Sequence, residues 1–437
     1  MEEHRPEPSR AYRWFVLLIV SLPMFGNYYI YDSINPLTDI FQKQLGYTDS
    51  QIGWLNSSYS VAAVITLLIG GVLIDRLGVK KAMLLFGTIC SIAALLSAMG
   101  DSFVTMVVGR TVLGLGAESL IVAVTTALAK WFRGKELSFA FGVNLTIARL
   151  ASVAADNSPT WASAVFYPHG HDALPSWQGP LWLAFGIGLI CVMAGIMYWW
   201  LETRAQRQYQ LGKPGAVDKL EIGRGMFRYS PSYWYIVGLC FTFYSAVFPF
   251  RTFAVKFFQH VHGIPLEEPG FFNSLLPLSA MIATPLFGLL VDSVGKRALF
   301  MLFGTLLLVP VYLMMLNPAV TLWAPTIMLG IAFSLIPAVM WPSVAYIVEE
   351  HRLGTAYALM TLIQQIGFFA LNWLIGAAND WQHASETNPG GYALGMGIFT
   401  GLVFLGFVFS FLLRKAETGP GAHGLETIMA RASDRAT

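Results

Sequence analysis

The sequence predicts an all-α membrane protein of twelve transmembrane helices, built as two parallel six-helix repeats. Three observations carry this: an apolar composition, twelve runs of spanning length, and a motif that recurs at one fixed offset. Of 437 residues, 55% are hydrophobic and only 12% charged, whereas a soluble domain carries about 25% charged residues. The 31 Phe and 13 Trp suit lipid-facing surfaces and interfacial belts. A net charge of +2 gives a nucleic-acid partner no electrostatic support.

Apolar runs long enough to span a bilayer fall at 12–35, 52–74, 82–100, 103–132, 136–163, 180–201, 232–258, 270–292, 298–316, 321–348, 354–378 and 392–413. Backbone amides in lipid need internal partners, so each run is expected to be helical. The first run is read as a helix rather than a cleaved signal: Glu2 and Glu3 flank its basic residues and no small-residue cleavage site follows. With the N-terminus in the cytoplasm, 22 of the 27 Lys and Arg fall on cytoplasmic segments. That asymmetry predicts both termini on the cytoplasmic side. The expected organisation is a six-helix bundle over 1–201, a linker over 202–230, a second bundle over 231–415 and a tail over 416–437.

Gly71-x-Leu73-x-Asp75-x-x-Gly78-x-Lys80 recurs as Gly288-x-Leu290-x-Asp292-x-x-Gly295-x-Arg297, 217 residues later. Phe86-Gly87-Thr88 and Phe303-Gly304-Thr305 keep the same offset, as do Lys135 and Arg352. Each copy follows the second span of its half, which makes the halves parallel repeats. The glycines permit a tight turn, and the Asp and the cations can hold helix ends. The loop is read as a conformational latch.

Charges inside the spans are where function is sought, because one at the bilayer centre costs about 2.5–3.5 kcal/mol on insertion scales. Glu118 and Arg149 each lie 15 to 16 residues from the turn at Arg133 and Gly134. At 1.5 Å per residue both sit about 23 Å from that turn, near the midplane. Arg110, Gly114 and Glu118 share one helical stripe, and Gly142, Thr146 and Arg149 another. One reading has Glu118 receive an ammonium group and Arg149 grip a carboxylate, which suits a zwitterion. The other is a permanent ion pair between the fourth and fifth spans. In the first span Tyr28, Tyr31 and Asp32 can share a face, for binding or proton transfer or as an aromatic belt. Arg251 and Lys256 either gate the outer end of the seventh span or snorkel to headgroups. Pro337 and Pro342 should bend the tenth span, where Trp341 could floor a cavity. Gln364, Gln365 and Asn372, and the stretch Asn56 to Tyr59, are uncharged candidates.

Cys90, Cys191 and Cys240 lie in apolar runs, against a disulfide framework or thiolate metal site. His169-x-His171 and His260-x-His262 lack further ligands, so no metal and no cofactor are expected. No Walker loop and no nucleophile–base arrangement stands out, against ATP-driven transport and against an enzyme.

These motifs resemble the major facilitator superfamily. Its signature loop is matched by Gly71, Leu73, Asp75, Arg76, Gly78 and Lys80, while the second copy carries Ser293 in place of Arg76, so its latch is expected to be weaker. Arg110, Gly114, Gly116 and Ala117 resemble the superfamily's second motif, with Leu113 where glutamine is usual. Arg110 is therefore grouped with the latch residues Asp75, Arg76, Lys80, Asp292, Gly295 and Arg297. A narrower resemblance is to the lysosomal dipeptide transporters typified by major facilitator superfamily domain-containing protein 1. It rests on Tyr28-x-x-Tyr31-Asp32, Gly109-Arg110 through Leu120, Trp131-Phe132-x-Gly134-Lys135-Glu136-Leu137, Ala148-Arg149-x-x-Ser152, Trp341-Pro342-x-Val344-Ala345 and Glu350 through Tyr357. That resemblance implies a dipeptide, held by Glu118 and Arg149 and lined by Tyr28, Tyr31, Asp32, Tyr59, Trp341, Gln364 and Gln365. It implies alternating access, as a uniporter or with a proton. An organic anion or amino acid is the rival substrate. The animal family works in lysosomes with a glycosylated accessory subunit. The short outer loops and the lack of an acidic dileucine signal instead point to a monomer in a bacterial inner membrane, with lipids as its other partner.

Overall fold

The computed structural model describes residues 6–132, 136–209, 228–349 and 352–427. Within its helices the side chains of Leu68, Gly71, Val72, Asp75 and Ser138 lie outside the description, as do Arg133, Gly134 and Lys135 and the middle of the predicted linker. The chain forms two compact units: Met1–Tyr47 with Trp54–Asp218, and Thr48–Gly53 with Lys219–Thr437.

In the first unit, α1 (Arg10–Asp32) opens on Ser9, whose hydroxyl accepts from the Tyr12 amide. It ends at a short turn through Pro36 that leads into α2 (Thr38–Leu45). Next come α3 (Asp49–Leu77), whose residues up to Gly53 fall in the second unit, α4 (Val79–Met99), α5 (Phe103–Phe132) and α6 (Leu137–Asp156). Two one-turn helices, α7 (Ser158–Trp161) and α8 (Ser163–Phe166), precede α9 (Gln178–Gln208). The sequence pattern extends the fifth span to 163. The helix stops at Asp156 because Pro159 cannot continue it, and the Asn157 side chain caps back onto the Val153 carbonyl. Helix α9 instead runs seven residues past its predicted end, because 202–208 are polar but good helix formers.

Small residues set the seams of this unit. A Cβ on Gly26 would stand 2.6 Å from Cys191 Sγ, one on Gly87 2.9 Å from the Cys191 carbonyl, and one on Gly116 2.9 Å from Cys90 Sγ. Close backbone approach is the means by which helices associate in lipid, where no hydrophobic drive acts between them. All three cysteines are free and buried.

The second unit holds α10 (Pro231–His262), α11 (Pro269–Val294), α12 (Arg297–Leu308), α13 (Val311–Leu316), α14 (Trp323–Ile347), α15 (Leu353–Trp381) and α16 (Ala393–Glu417). Helix α10 is its core, packed against α15 and α16 and buried along nearly its whole length. The predicted span 298–316 is interrupted at Pro310, which separates α12 from α13.

Among the described residues, eleven stretches are long and apolar enough to cross a membrane. The 29-residue α3 stands where the remaining predicted span lies, giving twelve. Large apolar side chains such as Ile65, Ile69, Met193 and Leu289 stay exposed on the helix surfaces, as lipid contact requires.

Candidate functional site

The site in the first unit is assembled by a glycine. A Cβ at Gly114 would meet the Tyr59 carbonyl oxygen at 2.3 Å, so only glycine lets α3 lie this close to α5. One turn further along α5 is Glu118. The close approach brings the Tyr59 hydroxyl to Glu118 Oε1, to which it donates over 2.9 Å. Tyr31 of α1 packs edge-on against Tyr59, with ring centroids 4.8 Å apart. One turn earlier on α1, the ring of Tyr28 carries the Arg149 guanidinium of α6, 5.7 Å from its centroid. The predicted acid and base thus stand beside one tyrosine cluster, and both are only half-buried.

Arg110, placed with the latch residues by its motif, has its contacts elsewhere. It is buried and donates to the carbonyls of Ile30 and Tyr31, at 3.3 and 3.1 Å, and to Asn56 Oδ1. Its guanidinium lies 5.0 Å from the Tyr31 centroid and 5.9 Å from that of Tyr59. The carbonyls in the last turn of α1, which have no helical partner ahead of them, attract the cation, and the cation packs on the two tyrosines beside Glu118.

Asp32 belongs to a feature the sequence reading missed. Asn35 Nδ2 donates to Asp32 Oδ1 at 3.3 Å and to Asp156 Oδ1 at 3.1 Å, and all three residues are buried. Asp156 ends α6, and a carboxylate inside the predicted fifth span was the available signal.

The second unit places Trp341 beside Tyr244, its indole N–H donating to the phenol oxygen at 2.9 Å. Tyr244, Phe248, Phe333 and Phe368 continue this aromatic group, which the sequence reading did not single out. Gln364 accepts a weak bond from Cys240 Sγ at 3.8 Å, and Gln365 is buried. Asn372 is taken up in packing: Oδ1 accepts from Thr252 and Nδ2 donates to the Phe368 carbonyl. Lys256 does not snorkel. It is fully buried, with Nζ 2.5 Å from Asp49 Oδ1, since a buried carboxylate is a better counterion than a distant headgroup. Asp380 accepts from the Asp49 and Ser50 amides at 2.7 and 2.8 Å. Arg251 is buried as well.

Both loop copies turn on their second glycine, with φ of 78° at Gly78 and 88° at Gly295. In the first copy Arg76 is exposed, and Lys80 donates to Thr203 Oγ1 and Gln206 Oε1 of α9 at 3.0 and 3.2 Å. In the second, Arg297 pairs with Asp292 at 2.7 Å and covers the Tyr346 ring at 4.5 Å. Ser293 donates to the Leu290 carbonyl of its own helix. His260 contacts the Tyr392 hydroxyl and His262 the Met315 carbonyl, each at 2.8 Å.

The family comparisons agree with this architecture. The Major Facilitator Superfamily profile matches residues 17–372. The lysosomal dipeptide transporter MFSD1 of Homo sapiens is 33% identical over 392 residues, covering 86% of this chain and 82% of its own. That of Danio rerio is 31% identical over 379 residues, covering 84% and 81%. A bacterial homolog of the human lysosomal transporter Spinster, crystallised inward-facing and occupied, superposes with a TM-score of 0.73 at 16% identity, covering 93% of this chain and 98% of that one. The chain is an integral, multi-pass membrane transporter and belongs to the major facilitator superfamily.

Proposed function

We propose that this protein carries dipeptides across the membrane by alternating access, with Glu118 receiving the peptide's ammonium group and Arg149 its carboxylate. The observation that carries the reading is the placement of these half-buried, opposite charges against one tyrosine cluster. Opposite charges set beside one tyrosine cluster favour a zwitterion over a simple anion. The names of the relatives point the same way. A carrier of organic anions would need Arg149 alone, and an amino-acid carrier would have to bring both charges within a much shorter ligand.

Asp32 and Asp156, brought to one Asn35 amide, are the candidate seat of any coupled proton. Such a proton drives transport only if it binds one conformation better than the other. The two six-helix halves, 1–201 and 231–415, are the bodies that rock, and the loops at Gly78 and Gly295 are their latches. The distribution of basic residues supports cytoplasmic termini, and the short outer loops favour a bacterial inner membrane.

The test is a thermal-shift screen of purified protein against dipeptides, single amino acids and carboxylates, followed by liposome uptake with and without a pH gradient. Stabilisation by dipeptides ahead of the others supports the proposal. Stabilisation by carboxylates alone removes it.

A further inference from the structure

The last turns of α9 form, with α4, a surface that shares no residue with the substrate site. The two helices touch closely at Gly195, where a Cβ would stand 3.0 Å from the Leu84 Cα. Beyond that contact an open groove of about 330 Å³ runs along the unit, lined by Leu84, Ile196, Trp199, Trp200 and Thr203. Both indoles are exposed, Trp199 at 36% and Trp200 at 57%. Above the groove stand cations. Lys80 spends two of its three N–H donors on Thr203 and Gln206, which leaves one. Thr203 accepts from Lys80 and keeps its own hydroxyl proton to donate. Arg204 is exposed and lies over the Trp200 ring at 5.5 Å from its centroid. Arg207 follows one turn on, also exposed. The neighbouring carboxylate, Glu202, is buried and held by Lys130 and Gln206.

We propose that this groove is a binding site for one anionic phospholipid, the acyl chain lying along Leu84, Ile196 and the two indoles and the phosphate meeting Lys80, Thr203 and Arg204. Charge complementarity selects the occupant: unspent N–H donors stand directly over an apolar slot, at the depth where tryptophan marks the headgroup boundary. A soluble phosphate would use the donors but leave the slot empty. A zwitterionic lipid would fill the slot but bring a choline cation against Arg204.

The test is native mass spectrometry of the full-length protein in detergent, with phosphatidylglycerol and phosphatidylcholine at equal concentration and inorganic phosphate as a third probe. Phosphatidylglycerol is expected to be retained in preference to phosphatidylcholine. Arg204→Gln, an exposed change that removes the cation from the Trp200 ring, should weaken that retention by about fivefold, the worth of one cation near an anionic surface. Trp199→Ala with Trp200→Ala should lower retention of both lipids. Equal retention of the two lipids, or an Arg204→Gln protein indistinguishable from the parent, overturns the proposal. So does displacement of phosphatidylglycerol by millimolar inorganic phosphate, which would make this a simple anion site.

Discussion

The Tyr59 hydroxyl donates to Glu118 Oε1 over 2.9 Å, tying α3 to α5 through a carboxylate that is itself only half-buried. The bond orients the acid without consuming it, because a carboxylate offers about four acceptor positions. Tyr59→Phe keeps the ring against Tyr31 and removes the bond. A neutral hydrogen bond contributes about 1 kcal/mol net, more to a charged partner. Dipeptide affinity, read by concentration-dependent thermal shift, should fall as Glu118 loses its orientation, and the ligand-free melting temperature should drop by no more than the few degrees that about 1 kcal/mol represents.

Gly114→Val tests how the site is built. The new side chain meets the Tyr59 backbone oxygen, which has no rotamer to escape into. Overpacking of this kind costs about 1–3 kcal/mol. Both the ligand-free melting temperature and uptake should drop, the former by more than for Tyr59→Phe.

Asp156→Asn tests the coupling seat. The substitution removes one of two carboxylates that share the Asn35 amide. Uptake by the variant should be indifferent to a proton gradient that stimulates the parent, while counterflow of dipeptide without a gradient persists. A variant that still responds to the gradient would place the proton elsewhere.

At the other end of α6, Glu136 lies 3.2 Å from Arg10 and 3.6 Å from Arg13. Its own backbone amide first, and then these arginines, hold its carboxyl below the usual range. A lowered folded pKa means the contribution is present above the unfolded value and is lost as pH falls through the folded one. Glu136→Gln should therefore flatten the acid limb of a melting-temperature profile below about pH 4.5 and leave the neutral region unchanged.

Much of this was legible in the sequence, for a physical reason. A charge in an apolar run is expensive, so Glu118, Arg149, Asp32 and Arg110 announced themselves. The repeated Gly78 and Gly295 were equally plain, because a tight turn between helices leaves few alternatives to glycine. What stayed hidden depends on partners far apart in the chain. Nothing near Lys256 reveals that Asp49, 207 residues away, neutralises it. Asp156 was passed over although it fell inside the predicted fifth span, because its partner Asn35 lies 121 residues away in the chain. The aromatic group around Tyr244 was hidden by abundance, since phenylalanine occurs in eleven of the twelve predicted spans.

The central claim is that Glu118 acts by its charge on a ligand rather than as part of the scaffold. Glu118→Gln preserves shape and keeps an acceptor for Tyr59. The decisive measurement is dipeptide uptake into liposomes by this variant, normalised to its reconstituted amount and set beside its ligand-free melting temperature. Uptake should fall about tenfold to a hundredfold, the worth of a charge-assisted hydrogen bond, with the melting temperature essentially unmoved. Retained uptake, or uptake and melting temperature falling together, would contradict the account.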